Sequence, residues 1–258
     1  MQNIENVELS ILSLDDYQEL KTTMIEAYTN VSLASAYWEE QHIQSLISKF
    51  PEGQIVIKVN NQLAGCALSI RINDADFNDA HTYDDITGTG KDTFNTHNDD
   101  GDTLYGIDVF IKAEFRGLRL GRRLYDYRKE LCERLNLKGI TFGGRIPNYH
   151  KYSNELSPKQ YIDKVKRKEI HDPVLNFQIS NDFHPARILK GYLEGDKGSN
   201  NYAVLLKWNN IYYEEINKKE VPTKMLVRLG LIQWQMRPYK NLDELSEKIK
   251  PFSSRVDG

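Results

Sequence analysis

The chain has 258 residues, a formal net charge of −3 from 34 Lys and Arg against 37 Asp and Glu, and 40% hydrophobic residues. That length admits one large domain, or one domain with an appendage, and the apolar share is enough for a core. The near balance of charge argues against nucleic acid or an anionic membrane as the main partner, and no apolar run approaches the ~20 residues that span a bilayer.

The opening MQNIENVELS carries neither a basic nor an apolar leader segment. Cys66 and Cys132 have no metal-ligand spacing and read as buried thiols rather than a disulfide. A cytoplasmic protein with no metal site is therefore expected. Val7 to Ser13 alternates as a first strand. Asp15 and Asp16 suit the start of a helix whose period runs through Leu20, Met24 and Ala27, and a second helix runs from about Trp38 to Phe50 and stops at Pro51. Gln54 to Val59, then Asn60-Asn61, then Leu63 to Ile72 reads as a hairpin.

Residues 73–102 form a segment with nine aspartates and a single lysine, Lys91. It is too long for a simple turn. Its start, DADFND, invites a calcium reading, but an EF-hand loop needs Gly at its sixth position and Glu at its twelfth, where Asp79 and Asp85 stand. Two readings remain open: a solvated acidic loop, or a wall of the acceptor site that favours a cationic substrate.

Leu104 to Ile111 is an apolar strand, after which Arg116, Gly117, Arg119, Gly121, Arg122 and Arg123 crowd one turn. The period then changes, with Leu124, Tyr127, Leu131 and Leu135 on one helical face, and Lys138 to Phe142 returns as a strand. A strand feeding a Gly-bearing turn and a helix start is a phosphate cradle, since its backbone N–H groups and the helix dipole face the anion. The arginines add charge-assisted hydrogen bonds, although a solvated basic helix start would look similar. No GxxxxGK[ST] and no GxGxxG is present, so neither the NTPase loop nor the dinucleotide fingerprint applies.

Further on, Ser157-Pro158 starts a helix periodic in Tyr161, Val165 and Ile170, which Asp172-Pro173 ends. Val174 to Ile179 reads as a short strand, Pro185 to Tyr192 as a short helix and Tyr202 to Trp208 as a late strand. Asn217 to Lys224 is charged and contains a proline, and MLVRLGLIQWQMRPYKNLDELSEKI reads as strand, turn, helix.

The turn from Arg116 to Gly121 resembles the acyl-CoA loop of the GNAT acetyltransferase superfamily, Arg/Gln-x-x-Gly-x-Gly/Ala, with Arg119 where the family usually has its middle glycine. An L-residue there can present its N–H provided its φ stays negative. RGLRLGRRLYDYRKELCERLNLKGITFGGRIPNYHKY, DPVLNFQISNDFH and WNNIYYE together resemble the N-terminal acetyltransferase domain of bifunctional proteins that carry a carbon–nitrogen hydrolase (nitrilase-like) domain. The resemblance implies an α/β (α+β) fold with a mixed, splayed sheet and helices on both faces. It implies a GNAT domain over 1–216, a linker over 217–225 and the opening strand and helix of the hydrolase over 226–258, without the catalytic Glu, Lys and Cys of that domain. The strand of that tail would pack on the core, pair with a second copy in a homodimer, or fray.

The resemblance further implies acetyl-CoA as co-substrate and an amine acceptor, with direct attack on the thioester and no covalent enzyme intermediate. A rival is an acyl-CoA-binding sensor or docking module without catalysis. The pyrophosphate would rest on Arg116, Gly117, Leu118, Arg119, Leu120, Gly121 and Arg122, and the pantetheine would pair with Val109, Phe110 and Ile111, one of whose N–H groups would serve the oxyanion. Arg123 and Arg128 would face solvent or bind other loops. Asp108 is a candidate base or a structural carboxylate. Aligning the family's AxxLY with Ala186 to Leu189 puts Lys190, not Tyr, at the usual acid position, which leaves Tyr192 and Tyr149 as candidate acids or as core and wall residues. His97 and His150 could serve as bases by their ordinary pKa, but a lone histidine is more often structural.

Overall fold

In the second strand of the chain, Ile55, Ile57 and Val59 belong to one buried cluster and Val56 to another. Period-two alternation thus gives this strand two covered faces. The computed structural model describes residues 5–28, 37–77 and 80–215, all but the last in the compact unit Met1–Glu214. The linker expected at 217–225, the strand–turn–helix expected at 226–258 and Asp79 lie outside the described residues.

The strands are β1 (Val7–Ile11), β2 (Ile55–Val59), β3 (Gln62–Ile72), β4 (Thr103–Ile111), β5 (Gly139–Arg145), β6 (His184–Lys190) and β7 (Tyr202–Asn209). They form one seven-stranded sheet in the order β1-β2-β3-β4-β5-β7-β6, antiparallel except for β4 against β5. The β2–β3 turn uses Asn60 and Asn61 at φ 49° and 66°, the left-handed pair that a tight hairpin demands. The helices are α1 (Tyr17–Tyr28), α2 (Glu40–Lys49), α3 (Tyr83–Thr87), α4 (Leu120–Arg134), α5 (Pro158–Lys166) and α6 (Pro173–Ile179). Leu20 and Met24 of α1 and Ile43 and Leu46 of α2 share the larger cluster with Val56. Leu120 and Leu124 of α4 meet Ile55 and Ile57 in the other. The mixed sheet with helices on both faces is the expected fold.

Two expected elements exchange identity. Val174 to Ile179 is helix α6, not a strand. Asp172 caps it, its Oδ1 accepting from Val174 N at 3.1 Å and Leu175 N at 3.0 Å, with Pro173 in the first turn. Asp-Pro therefore starts a helix here rather than ending one. Residues 185–192, expected as a helix, are mostly strand β6, paired with β7 through Ile188↔Val204 and Leu189↔Ala203. Its proline is tolerated because β6 is the outermost strand of the sheet.

The acidic segment is more ordered than a loop. It contains α3, capped by Thr82 Oγ1 accepting from Asp85 N at 3.1 Å, and the half-buried His97, whose Nδ1 accepts from Arg71 N at 3.1 Å. Burial holds the pKa of His97 below the ordinary histidine value. Both cysteines are free and buried, and burial pushes the Cys132 thiol up to about 12. No helix among the described residues is long and apolar enough to cross a membrane.

Candidate active site

The site begins with an irregularity in β4. Leu68 pairs with Asp108 but Ser69 pairs with Gly106, so Ile107 is an extra residue on β4 and the strand bulges. Arg128, two turns into α4 and on its buried face, fills the bulge. Its Nη2 donates to Leu68 O at 2.5 Å and Asp108 O at 2.8 Å, and its Nε to Ser69 Oγ at 3.0 Å. The side chain is buried, so the expectation of a solvent-facing Arg128 is corrected: its guanidinium is a strut between helix and sheet. Burial lowers its pKa from the usual arginine value. Gly106 is required at this point, since a Cβ there would sit 2.9 Å from Nη1 of Arg128.

Beyond the bulge the sheet opens. The parallel pairing of β4 with β5 runs only from Thr103↔Gly139 to Tyr105↔Thr141, so residues 106–111 of β4 have no strand partner on that side. The gap is a cleft of about 840 Å³, whose lining includes Asp108, Val109, Phe110, Ile111 and Arg116. Arg116 lies just ahead of α4, and Tyr125 and Arg128 of that helix also line the cleft, but residues 117–122 are not among the lining residues. The first amide to donate within the helix is Arg123 N, to Arg119 O at 3.4 Å, so the preceding N–H groups lack helical acceptors, as at any helix start. Gly117 has φ 87° and Arg119 φ 60°. The condition of negative φ at Arg119 is therefore not met: Arg119 takes the left-handed geometry of the glycine it replaces. For a residue other than glycine this conformation costs about 1–2 kcal/mol, and Arg119 adopts it as the residue just before α4.

Asp108 stands on the cleft floor. Its Oδ2 accepts from Trp38 Nε1 at 2.9 Å and Tyr83 Oη at 3.2 Å. Two donors from separate segments thus hold one oxygen of the carboxylate. Tyr83, Asp84 and Thr87 belong to the acidic segment and line the cleft, as does Glu39. These residues of the segment form part of the cleft wall.

Tyr192 also lines the cleft, and its hydroxyl lies 2.9 Å from that of Tyr105, which in turn lies 2.9 Å from His81 Nε2. Burial raises the pKa of Tyr192 and of Tyr105, against the opposing pull of the Gly143 N–H. Gly143 makes the room, since a Cβ there would fall 2.1 Å from Cζ of Tyr192. The turn that carries Tyr192 is pinned by Arg145, whose Nε and Nη2 donate to Asp196 Oδ2 at 2.7 Å and Oδ1 at 2.6 Å. Tyr149 lies elsewhere. It is buried among Tyr161 and Tyr202 and donates to Leu156 O at 3.0 Å, so it is a core residue, outside the cleft lining. His97 and His150 are not among the lining residues either. Lys190, expected at the acid position, is on β6; the cleft-lining residues of the helix after β5 are Val174 and Gln178 of α6.

Residues 17–151 match the acetyltransferase (GNAT) family. The chain belongs to that family. It is 40% identical over 216 residues to a probable hydrolase, YhcX, of Bacillus subtilis (strain 168), the match covering 83% of this chain and 42% of the relative. The chain thus spans less than half the length of that protein. It is 34% identical over 178 residues to an uncharacterized N-acetyltransferase, YkwB, of the same organism, covering 69% of this chain and 77% of the relative. Among solved structures, the loading GNATL domain of CurA from Lyngbya majuscula superposes with a TM-score of 0.69 at 20% identity, covering 80% of this chain and 98% of that one. The GphF GNAT-like decarboxylase in complex with isobutyryl-CoA superposes with a TM-score of 0.64 at 15% identity, covering 79% and 99%. These two share the fold with this GNAT domain.

The sequence pointed to Asp108, the 116–122 turn and Tyr192 but not to Trp38, Tyr83, Arg128 or Gln178. One signal was available for part of this. Gly143-Gly144 inside a strand marks a place where other groups approach the backbone closely, and Tyr192 and Gln178 are the groups that do so.

Proposed function

We propose that this chain transfers an acetyl group from acetyl-CoA to a primary amine by direct attack on the thioester. The observation that carries the reading is the cleft itself: the unpaired edge of β4, with Asp108 and, from the turn that leads into α4, Arg116 among its lining residues. Pyrophosphate on the amides of residues 117–122, with Arg116 beside it, would lead the pantetheine along Val109 to Ile111. That places the thioester near the bulge, where an N–H of the open β4 edge can donate to the developing oxyanion. Asp108 takes the proton of the attacking amine, directly or through water, and Tyr192 donates a hydrogen bond to the departing thiolate. Tyr149 has no part in this scheme. Glu39, Asp84 and Asp108 make the acceptor side acidic, which supports a cationic acceptor such as a polyamine or a lysine side chain. The likeness to a probable hydrolase over 42% of its length supports reading this domain as one module of a longer protein that also carries a hydrolase.

The test is calorimetric titration with acetyl-CoA followed by thiol release with a panel of amines. Binding in the micromolar to millimolar range and amine-dependent thiol release are expected. Arg116→Glu and Gly121→Glu should each weaken acetyl-CoA binding at least tenfold while thermal unfolding shows a folded protein. Asp108→Asn should keep binding and lower thiol release at least a hundredfold. Binding without release for any amine would favour the sensor reading, and Arg116→Glu and Gly121→Glu variants that both bind like the parent would move the site elsewhere.

A further inference from the structure

His81 belongs to the acidic segment, just ahead of the Thr82 that caps α3, and the scheme above gives it no part. It is buried, and its ring is held from several sides. Phe77 of the same segment, Tyr105 of β4 and Tyr192 stand at ring-centroid distances of 5.6, 5.8 and 6.0 Å. Tyr83 N donates to Tyr192 O at 2.7 Å, so residues 81–83 hold the Tyr192 turn by main chain and side chain together. The polar contacts run in a line. His81 Nε2 lies 2.9 Å from Tyr105 Oη, and Tyr105 Oη lies 2.9 Å from Tyr192 Oη. Tyr105 is fully buried, and of the three only Tyr192 lines the cleft.

A phenol has one hydrogen to give, so the line has a direction. When His81 Nε2 carries a hydrogen, it donates to Tyr105, Tyr105 donates to Tyr192, and the Tyr192 hydrogen is left to point into the cleft. When Nε2 is bare, it draws the Tyr105 hydrogen, Tyr105 draws that of Tyr192, and Tyr192 turns only lone pairs to the cleft. The first arrangement suits a departing thiolate and the second repels it. The Asp85 carboxyl of α3 favours the first, since a negative charge near His81 stabilises its protonated, donating form. After the Thr82 hydrogen bonds, His81 is among the groups that hold that carboxyl below its ordinary pKa. We propose that His81 is a positioning residue for the leaving group: as a hydrogen-bond donor it sets, through Tyr105, the Tyr192 hydroxyl hydrogen toward the thiolate. The inference rests on the acetyl-transfer reading given above, in which Tyr192 meets the sulfur. It gives the acidic segment a second role, behind the cleft wall.

The test measures thiol release with the fastest amine of the panel, acetyl-CoA affinity by calorimetry, and a thermal melt, all on the full chain. His81→Phe keeps a flat ring but removes the donor. Its release at saturating acetyl-CoA should fall about tenfold while its affinity stays within about twofold of the parent's. His81→Leu asks the same question if the phenylalanine variant does not fold. His81→Gln keeps a side-chain N–H for Tyr105 and should recover release to within about threefold of the parent. Tyr105→Phe cuts the line, so adding His81→Phe to it should cost less than about twofold more. Parent-like release without the His81 donor would overturn the proposal, as would a glutamine variant as slow as the phenylalanine one. A full tenfold loss on the Tyr105→Phe background, or a loss of affinity that matches the loss of release, would overturn it too, since both report packing of the acidic segment alone. Tyr192→Phe separates the proposal from the reading beneath it. A parent that binds acetyl-CoA but releases no thiol with any amine, or a Tyr192→Phe variant as fast as the parent, overturns both together. A slow Tyr192→Phe variant beside a fast His81→Phe variant overturns the proposal alone.

Discussion

Arg128→Met is the sharpest test of how the site is held open. The parent guanidinium satisfies Leu68 O, Asp108 O and Ser69 Oγ at 2.5, 2.8 and 3.0 Å, and it does so while 2% exposed. Methionine leaves both carbonyls of the bulge without this donor, at about 1–3 kcal/mol for each. Relief of the desolvated cation works the other way and offsets part of that sum. The net expectation is a loss of about 3 kcal/mol, which for a domain of this size lowers the melting temperature by roughly 6–12 °C. Arg128→Lys should recover less than half, because a single ammonium cannot span the same acceptors as a planar fork. Urea unfolding of both variants gives the numbers, and a double-mutant cycle with Ser69→Ala should show a coupling of at least about 0.5 kcal/mol. An Arg128→Met variant within about 0.5 kcal/mol of the parent would refute the strut, and the bulge would then be a property of the β3–β4 pairing alone.

Gly143→Ala pushes a methyl into the Tyr192 ring, at 2.1 Å from Cζ and 2.5 Å from the hydroxyl. Overpacking of this kind costs about 1–3 kcal/mol and should displace the phenol from Tyr105, so thiol release should fall while acetyl-CoA affinity by calorimetry holds. An equal loss of affinity would assign Tyr192 to binding instead. Asp196→Asn removes one partner of the Arg145 pair from a site that is 1% exposed and should cost about 3 kcal/mol in urea unfolding. Burial alone would raise the Asp196 pKa, but Arg145 and Ser199 hold it below the ordinary carboxylate value. A depressed folded pKa gives stability that is present above the unfolded value of about 3.9 and is lost as pH falls through the folded one. The difference between parent and Asp196→Asn should therefore be constant near neutrality and shrink below about pH 4; a difference that grows on acidification would contradict the pairing.

Legibility followed the range of the interactions involved. The Asn60-Asn61 hairpin, the capped α5 and the strand–turn–helix from β4 into α4 rest on contacts within a few residues, and these stand where the pattern put them. The exchange at 174–192 has a local cause as well. Asp172-Pro173 is a start signal when the aspartate's carboxylate turns forward onto Val174 and Leu175, and a stop signal when the helix before it has already run up to the proline. Here α5 ends at Lys166, leaving residues 167–171 as a connection, so the forward reading wins. The arginines show the same division. Arg116, Arg119, Arg122 and Arg123 stay on the exposed turn, but Arg128 is buried by its spacing from Leu124 and Leu131, whose helical face it shares. Charge suggested solvent and spacing suggested the core; the bulge carbonyls let spacing prevail.

The candidate site is the least legible part because it is assembled from pieces far apart in the chain. Trp38, Tyr83, Asp108 and Tyr192 come from four separate segments, and what joins them is the absence of β-pairing after Tyr105. That divergence in turn needs a reason, and the structure supplies one on each side of the gap. On β4 the extra residue Ile107 and the Arg128 strut turn the strand away from β5. On β5 Gly143 and Gly144 present no side chains, so Tyr192 and Gln178 close over the strand where β4 would otherwise have continued to pair. A cleft built this way has its opening set in part by Arg128 and Gly143, to which the proposed reaction gives no chemical role. Arg128→Met and Gly143→Ala should then both disturb the site while leaving the 116–122 turn intact, and adenosine 3′,5′-bisphosphate affinity is the measurement that separates the two parts of the site. It should stay at the parent's value in both variants, and a loss in either would mean that cradle and cleft are one mechanical unit.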